Sequence, residues 1–289
     1  MSYPQPVRIT VTSQIIIPKA QLPSSAKKFL REKLFIMNSE YIIKERLGHP
    51  VYDVPKFFDL IDEQDGNVLL PRGFLGQLVT FLKKERIAYE ITHHHPHPAS
   101  LGLASGTKLL PEQQDIVDAA FAAGQGIIVA PPGSGKTILG LALVARHDKP
   151  ALILTHRKQL LDQWVGQIQE YFGMSKRHIG RYSSAYKKPS PYITVGLLQS
   201  FARAKDISEF VDAFGVIIVD ECHHIPAQTF RKVLSQLNVK HVYGLTATPK
   251  RKHNDEKLIY LYIGDIVASL SAKPRGLVAQ TAPLLITIQ

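Results

Sequence analysis

The chain has 289 residues, 45% of them apolar, with 35 lysines and arginines against 24 aspartates and glutamates. It lacks any run of about 18 apolar residues and opens on MSYPQPVRIT without a hydrophobic signal segment, which argues against membrane insertion and secretion, while its one cysteine, Cys222, rules out an internal disulfide and suits a reducing cytoplasm. The net charge of +11 favours a polyanionic partner and is uneven, since residues 1–106 carry 13 basic and 10 acidic residues and residues 107–289 carry 22 and 14.

Residues 7–17, VRITVTSQIII, alternate in the manner of a half-buried strand that Pro18 closes. Residues 22–35 open with Pro23 and Ser24 and carry Phe29, Leu30 and Leu34, which predicts a helix. KFFDLI (56–61) and NVLL (67–70) flank Asp65-Gly66, a strong hairpin signal. Residues 73–84 then read as a helix with Leu75, Leu78, Val79 and Leu82 on one face, followed by a last strand at 88–91. Residues 1–91 are therefore expected to form a small α+β domain. Residues 92–107, THHHPHPASLGLASGT, lose all periodicity and read as a linker. His93, His94, His95 and His97 fall here, but adjacent residues rarely supply a tetrahedral metal set without partners elsewhere.

From Leu109 the pattern becomes regular. A helix begins at Pro111 and ends near Gly124, and apolar strands are expected at 127–130, 151–155, 192–196, 216–220 and 241–247. Helical stretches at 138–146, 158–172 and 226–237, and a helical pair over 197–214, alternate with them. Such alternation predicts an α/β fold, a parallel sheet with helices on both faces, over residues 108–270. Ligands then belong at the carboxyl ends of the strands.

GIIVAPPGSGKT (126–137) has the strand, loop and helix of a phosphate-binding loop, with Ala130 where the usual pattern has glycine. Pro132, Gly133, Ser134 and Gly135 form the loop, and the two glycines let backbone N–H groups turn toward a polyphosphate at a helix N-terminus. Lys136 would reach the terminal phosphates and the Thr137 hydroxyl would help hold Mg²⁺. Asp220-Glu221 follows the strand VIIV directly, placing one carboxylate for the metal and a second where it could polarise an attacking water.

APPGSGKT, DECH (220–223) and TATP (246–249), in this order, resemble motifs I, II and III of superfamily 2 helicases. THRKQLLDQW (155–164) resembles motif Ia, and TVGLLQSF (194–201) the next nucleic-acid-contacting motif of the XPB, UvsW and restriction-translocase branch. LLPEQQ (109–114) resembles the LRPYQ element that contacts adenine, with Gln113 in the glutamine position, Leu110 replacing the arginine and Glu112 the aromatic residue. Over residues 108–268 the resemblance implies a RecA-like lobe that uses ATP and Mg²⁺. Lys136 and Thr137 would bind phosphate and metal, Asp220 the metal, and Glu221 would be the general base. His223, Thr246 and Thr248 would couple hydrolysis to movement, and Thr155, His156, Arg157 and Gln199 would meet nucleic acid. Lys176-Arg177, Lys187-Lys188 and Lys250-Arg251-Lys252 could extend that track or be solvated faces, and Trp164 reads as a core anchor rather than a base-stacking platform.

In the N-terminal domain, FIMNSEY (35–41) and VLLPRGFLGQLVTFLKKERI (68–87) resemble the small domain ahead of the motor in UvsW-type helicases. That resemblance makes Arg72 and Lys83-Lys84 candidate phosphate contacts, although a purely structural cap is the alternative. The implied activity is that of an ATP-dependent DNA helicase or translocase on branched, forked or duplex DNA, with RNA less favoured. Its rivals are a restriction or phage-defence motor that translocates without unwinding, and a nucleotide-gated DNA clamp with little turnover. Superfamily 2 motors close ATP between two lobes, and no arginine-rich motif VI follows TATPKR before residue 289. A second RecA-like lobe is expected from elsewhere, with residues 271–289 beginning the connection and hydrolysis by these residues alone very slow.

Overall fold

The computed structural model describes residues 5–103, 108–224, 227–248 and 256–270. The N-terminal part contains β1 (Val7–Val11), β2 (Gln14–Pro18), α1 (Ser24–Leu34), β3 (Phe35–Met37), α2 (Ser39–Arg46) and β4 (Phe57–Asp59). It continues with β5 (Asp62–Gln64), β6 (Asn67–Pro71), α3 (Leu75–Lys84) and β7 (Tyr89–His93). VRITVTSQIII is two strands rather than one, because the chain reverses at Thr12-Ser13 and β1 pairs antiparallel with β2. The sheet order is β5-β6-β2-β1-β7, and β7 runs parallel to β1.

Asp65 and Gly66 sit at φ 50 and 76, as a primed hairpin turn requires. The strand entering that turn is the polar β5, however. The apolar FFD of β4 pairs instead with β3 in a separate two-stranded sheet.

The second part contains α4 (Pro111–Ala123), β8 (Gly126–Val129), α5 (Lys136–His147), β9 (Ala151–Thr155), α6 (Lys158–Phe172), β10 (Ile179–Tyr182), β11 (Lys187–Lys188) and β12 (Ile193–Leu197). It continues with α7 (Leu198–Arg203), α8 (Ser208–Val211), β13 (Val216–Val219), α9 (Ala227–Leu234), β14 (His241–Thr246), α10 (Glu256–Ile263) and β15 (Ile266–Ser269). These strands form an eight-stranded sheet in the order β11-β10-β12-β9-β13-β14-β8-β15, parallel throughout except for β11. Successive strand residues point to opposite faces, both of them covered, which is why the central strands β9 and β13 are buried at every position. Ile128, Ile153, Ile218 and Leu245 meet α4, α5 and α6 on one face. Ile127, Leu152, Ile217 and Val242 meet α7 to α10 on the other.

The two parts share a wall. Leu258 and Leu261 of α10 complete the core of the five-stranded sheet, while Ile259, Tyr262 and Ile263 of the same helix belong to the larger one. Gly73 makes this approach possible, since a Cβ there would lie 2.3 Å from the Tyr260 carbonyl oxygen and 2.7 Å from that of Leu261. Residues 92 and 93, expected in a linker, still pair with β1, and His95 is buried with Nδ1 3.0 Å from Asn238 Oδ1. Among the described residues no helix is long and apolar enough to cross a membrane. Residues 104–107, Pro249 of TATP, Lys250-Arg251-Lys252 and residues 271–289 lie outside the described residues.

Candidate nucleotide site and nucleic-acid face

Register brings the motifs to one level. Val219 pairs with Leu154 on one side and Gly244 on the other, and Thr246 pairs with Val129, so the ends of β9, β13, β14 and β8 are aligned. The loops that leave those ends are Thr155 to Arg157, Asp220-Glu221, Thr246 to Thr248, and Ala130 to Gly135.

Gly133 and Gly135 take φ values of 75 and 87, a left-handed region that strains any residue with a Cβ. At Gly135 a Cβ would also lie 2.7 Å from Gln113 Nε2. Gln113 is buried and braces the loop: Nε2 donates to the Ser134 carbonyl at 3.1 Å, and Oε1 accepts from the Leu110 N–H at 3.1 Å. Its amide keeps one proton and one lone pair for a ligand. Ser134 Oγ donates to the Pro131 carbonyl at 2.6 Å, and the Ala130 N–H bonds the Thr246 carbonyl at 2.8 Å, tying the loop to β14.

Lys136, at the N-terminus of α5, holds Nζ 3.1 Å from Glu221 Oε1. Glu221 has φ 45, strained for a residue with a side chain. Its Oε2 lies 3.4 Å from His223 Nδ1, which is itself 2.7 Å from Thr246 Oγ. Thr246 Oγ donates to the Thr248 carbonyl at 2.7 Å and accepts from the Thr248 N–H at 3.2 Å. With its proton committed to Thr248, Thr246 can only accept from His223, which assigns the imidazole proton to Nδ1. One polar path therefore runs Lys136, Glu221, His223, Thr246, Thr248.

Asp220 is 6% exposed. Burial pushes its carboxyl above the usual carboxylate range, opposed by a hydrogen bond of 2.8 Å from Trp164 Nε1 to Oδ2. A hydroxyl at Thr137 and this carboxylate are hard oxygen donors of the kind Mg²⁺ takes, and the glycine loop with Lys136 has the chemistry of a polyphosphate cradle.

On the nucleic-acid side the outcome is mixed. Arg157 is exposed, and Gln199 Nε2 donates to the His156 carbonyl at 3.2 Å, joining α7 to the loop after β9. Thr155 is fully buried with its hydroxyl on the Arg157 carbonyl at 3.4 Å, so it shapes the loop instead of presenting a hydroxyl to phosphate.

Arg72 also departs from expectation. It is 4% exposed, and its guanidinium bonds Gln125 Oε1 at 2.8 and 3.1 Å, the Lys240 carbonyl at 2.9 Å and the Val239 carbonyl. Desolvation lowers its pKa to about 10, which still leaves it charged at neutral pH. It joins the two sheets and cannot meet a phosphate. The sequence did not reveal the Trp164 bond to Asp220. The signal available was a lone tryptophan in a helix after β9 and a glycine, Gly140, inside α5.

The family described as "Type III restriction enzyme, res subunit" matches residues 106–251, just over half of the chain. A protein of Halobacterium salinarum named "Putative DNA 3'-5' helicase Rad25" is 36% identical over 157 residues, 54% of this chain and 26% of that protein. A protein of Acanthamoeba polyphaga mimivirus named "Putative ATP-dependent RNA helicase L396" is 30% identical over 190 residues, 64% of this chain and 36% of that protein. The chain thus spans about a quarter to a third of these relatives. The crystal structure of the UvsW helicase from bacteriophage T4 superposes with a TM-score of 0.67 at 19% identity, covering 91% of this chain and 100% of that one, which is a likeness of fold. The match over residues 106–251, on a sheet whose carboxyl edge gathers motifs I to III, means that the chain belongs to the type III restriction enzyme res-subunit family, within superfamily 2.

Proposed function

We propose that residues 108–270 are the first RecA-like lobe of an ATP-dependent DNA helicase or translocase, and that residues 1–91 help it engage branched, forked or duplex DNA. The observation that carries this reading is the polar path from Lys136 through Glu221 and His223 to Thr246, beside Asp220 on the same sheet edge. The loop amides and Lys136 orient the polyphosphate, Gln113 offers its free amide valences to the base, and Thr137 and Asp220 hold Mg²⁺. The ion supplies charge neutralisation at the transferring phosphoryl group. Glu221 accepts a proton from water as the water oxygen bonds to the γ-phosphorus and the bond to the β-phosphate oxygen breaks. When Lys136 turns to the phosphates, Glu221 is released from it, and His223 passes the change to Thr246 and Thr248. His156, Arg157 and Gln199 hold the nucleic-acid backbone without reading sequence. A second lobe, from the same or another polypeptide, supplies the arginines that complete the site.

Two measurements test this. The 289-residue chain should bind a fluorescent ATP analogue in a Mg²⁺-dependent way, and Lys136→Ala should abolish binding. In the polypeptide of full natural length, DNA should stimulate hydrolysis, and Glu221→Gln should cut turnover by about 10²-fold or more while sparing nucleotide binding. DNA affinity that depends on nucleotide yet ignores Glu221→Gln would make the protein a clamp. A second reading is a restriction or defence motor that translocates on duplex DNA without strand separation, which triplex displacement without strand displacement would reveal. An RNA oligonucleotide run in parallel decides the nucleic acid.

A further inference from the structure

Trp164 is the only tryptophan of the chain. It lies on α6, is 1% exposed, and reaches across the sheet face to donate its indole N–H to Asp220 Oδ2 at 2.8 Å. A buried indole needs some acceptor, so the bond alone does not distinguish a core anchor from a functional part. Two features of the surroundings do. The acceptor is the carboxylate that directly ends β13 beside the phosphate loop, and it also accepts from the Glu221 backbone N–H, so its orientation is held by the protein before any cation arrives. The passage of the ring is also prepared by a neighbouring helix: at Gly140, one turn into α5 from Lys136, a Cβ would lie 2.9 Å from Trp164 Cη2 and 3.1 Å from Leu245 Cδ1. Glycine inside a helix costs about 1 kcal/mol relative to alanine, so this opening is kept against the helix's own preference.

Resting on the nucleotide reading above, we propose that Trp164 is a positioning residue for the metal: it fixes the rotamer of the Asp220 carboxylate so that one oxygen is presented to Mg²⁺ before nucleotide arrives. The same helix starts directly after Arg157, which makes the metal ligand and the exposed nucleic-acid loop two ends of one packed unit. Partners of this kind, one bond removed from a metal, change metal affinity by about 10–100-fold when removed.

The test uses the 289-residue chain and 2'(3')-methylanthraniloyl-ATP, titrated with Mg²⁺ and again with EDTA. Trp164→Phe keeps an aromatic ring in the passage while removing the N–H together with part of the indole, and the loss of packing is read separately from the melting temperature. It should weaken the Mg²⁺-dependent part of nucleotide affinity about tenfold or more, leave the affinity in EDTA unchanged, and retain the wild-type circular dichroism. A variant with wild-type Mg²⁺ dependence, whether or not its melting temperature falls, would reduce Trp164 to packing and overturn the proposal. Should the variant not fold, wild-type protein labelled with 5-fluorotryptophan gives a single fluorine resonance. That resonance should move when Mg²⁺ is added to the nucleotide-bound protein, and a resonance that stays put overturns the proposal. A wild-type chain that binds no nucleotide, as Lys136→Ala should not, sinks the nucleotide reading instead.

Discussion

The carboxyl edge of the large sheet and the seam between the two sheets both bury polar groups, yet they are built on opposite terms. At the seam every group is spent within the protein. Arg72 gives its donors to Gln125 and two carbonyls, His95 bonds Asn238, and His241 uses Nδ1 on the Gly124 carbonyl at 2.9 Å. Beside the seam, within the larger part, His147 stacks on His241 with ring centroids 3.9 Å apart and shares a hydrogen with the Tyr243 hydroxyl at 2.8 Å. At the carboxyl edge Lys136 sits on Glu221, whose backbone is strained, and under the proposed function that bond is exchangeable, since a polyphosphate would compete for Lys136. Buried polarity by itself therefore does not mark a site. Exchangeable partners at aligned strand ends do.

The comparison breaks first at Arg72. Arg72→Ala strands the Val239 and Lys240 carbonyls and the Gln125 amide, and should cost about 3–5 kcal/mol in urea unfolding. A loss under about 1 kcal/mol would mean that water already reaches the seam. Gly73→Ala comes next, because its methyl would push backbone against backbone; overpacking of that kind costs about 1–3 kcal/mol. Neither change should alter the salt slope of DNA binding in protein that remains folded.

The histidines at and beside the seam should also weaken the fold in acid. Burial lowers the pKa of His147 to about 3, with the His241 charge adding to it, and that of His95 to about 4, with Arg72 adding to it; His241 is lowered too, again chiefly by burial. These histidines are neutral in the fold, while the unfolded chain binds protons below a pKa of about 6.5. Their stabilisation is complete above that pH and falls as the pH drops toward 4. The limiting slope is about 1.4 kcal/mol per pH unit for each histidine, discounted here because the rings are only partly buried. Urea midpoints between pH 7.5 and 5 measure it, and His147→Phe should flatten the curve.

What the sequence revealed and concealed follows the same division. The strand, glycine loop and helix of residues 126–147 were legible because they lie in one contiguous run in which the left-handed backbone at Gly133 and Gly135 calls for glycine. Asp220-Glu221 and Thr246 to Thr248 were legible because they follow apolar strands. Arg72 was misread as a phosphate contact because its acceptors are carbonyls 167 and 168 residues away, and carbonyls carry no side-chain signature. Trp164 and Asp220 are separated by 56 residues, and a tryptophan bound to a carboxylate has the same local pattern as one bound to anything else. The edge strands were missed for a different reason. β11 is two lysines and β5 reads DEQ, with every position of both on the exposed side, so no buried face imposed alternation on either.

The smallest expected effect separates strain from chemistry at Glu221. With φ at 45, the residue pays for its Cβ, and relief of one left-handed position is worth about 1 kcal/mol. Glu221→Gly and Glu221→Ala both delete the carboxylate and its ion pair with Lys136, whose groups are 21% and 14% exposed, so they differ only in backbone freedom. The glycine variant should be the more stable of the two by about 1 kcal/mol, reduced by the extra entropy glycine gives the unfolded chain. Both should lose hydrolysis alike in the full-length polypeptide. Equal stabilities would mean that the turn after Asp220 relaxes once the carboxylate is gone, and the strain would then belong to the Lys136 contact and not to the turn. A stabilised, inactive Glu221→Gly protein would instead show that this edge gives up stability to hold a group the reaction needs, as the seam never does.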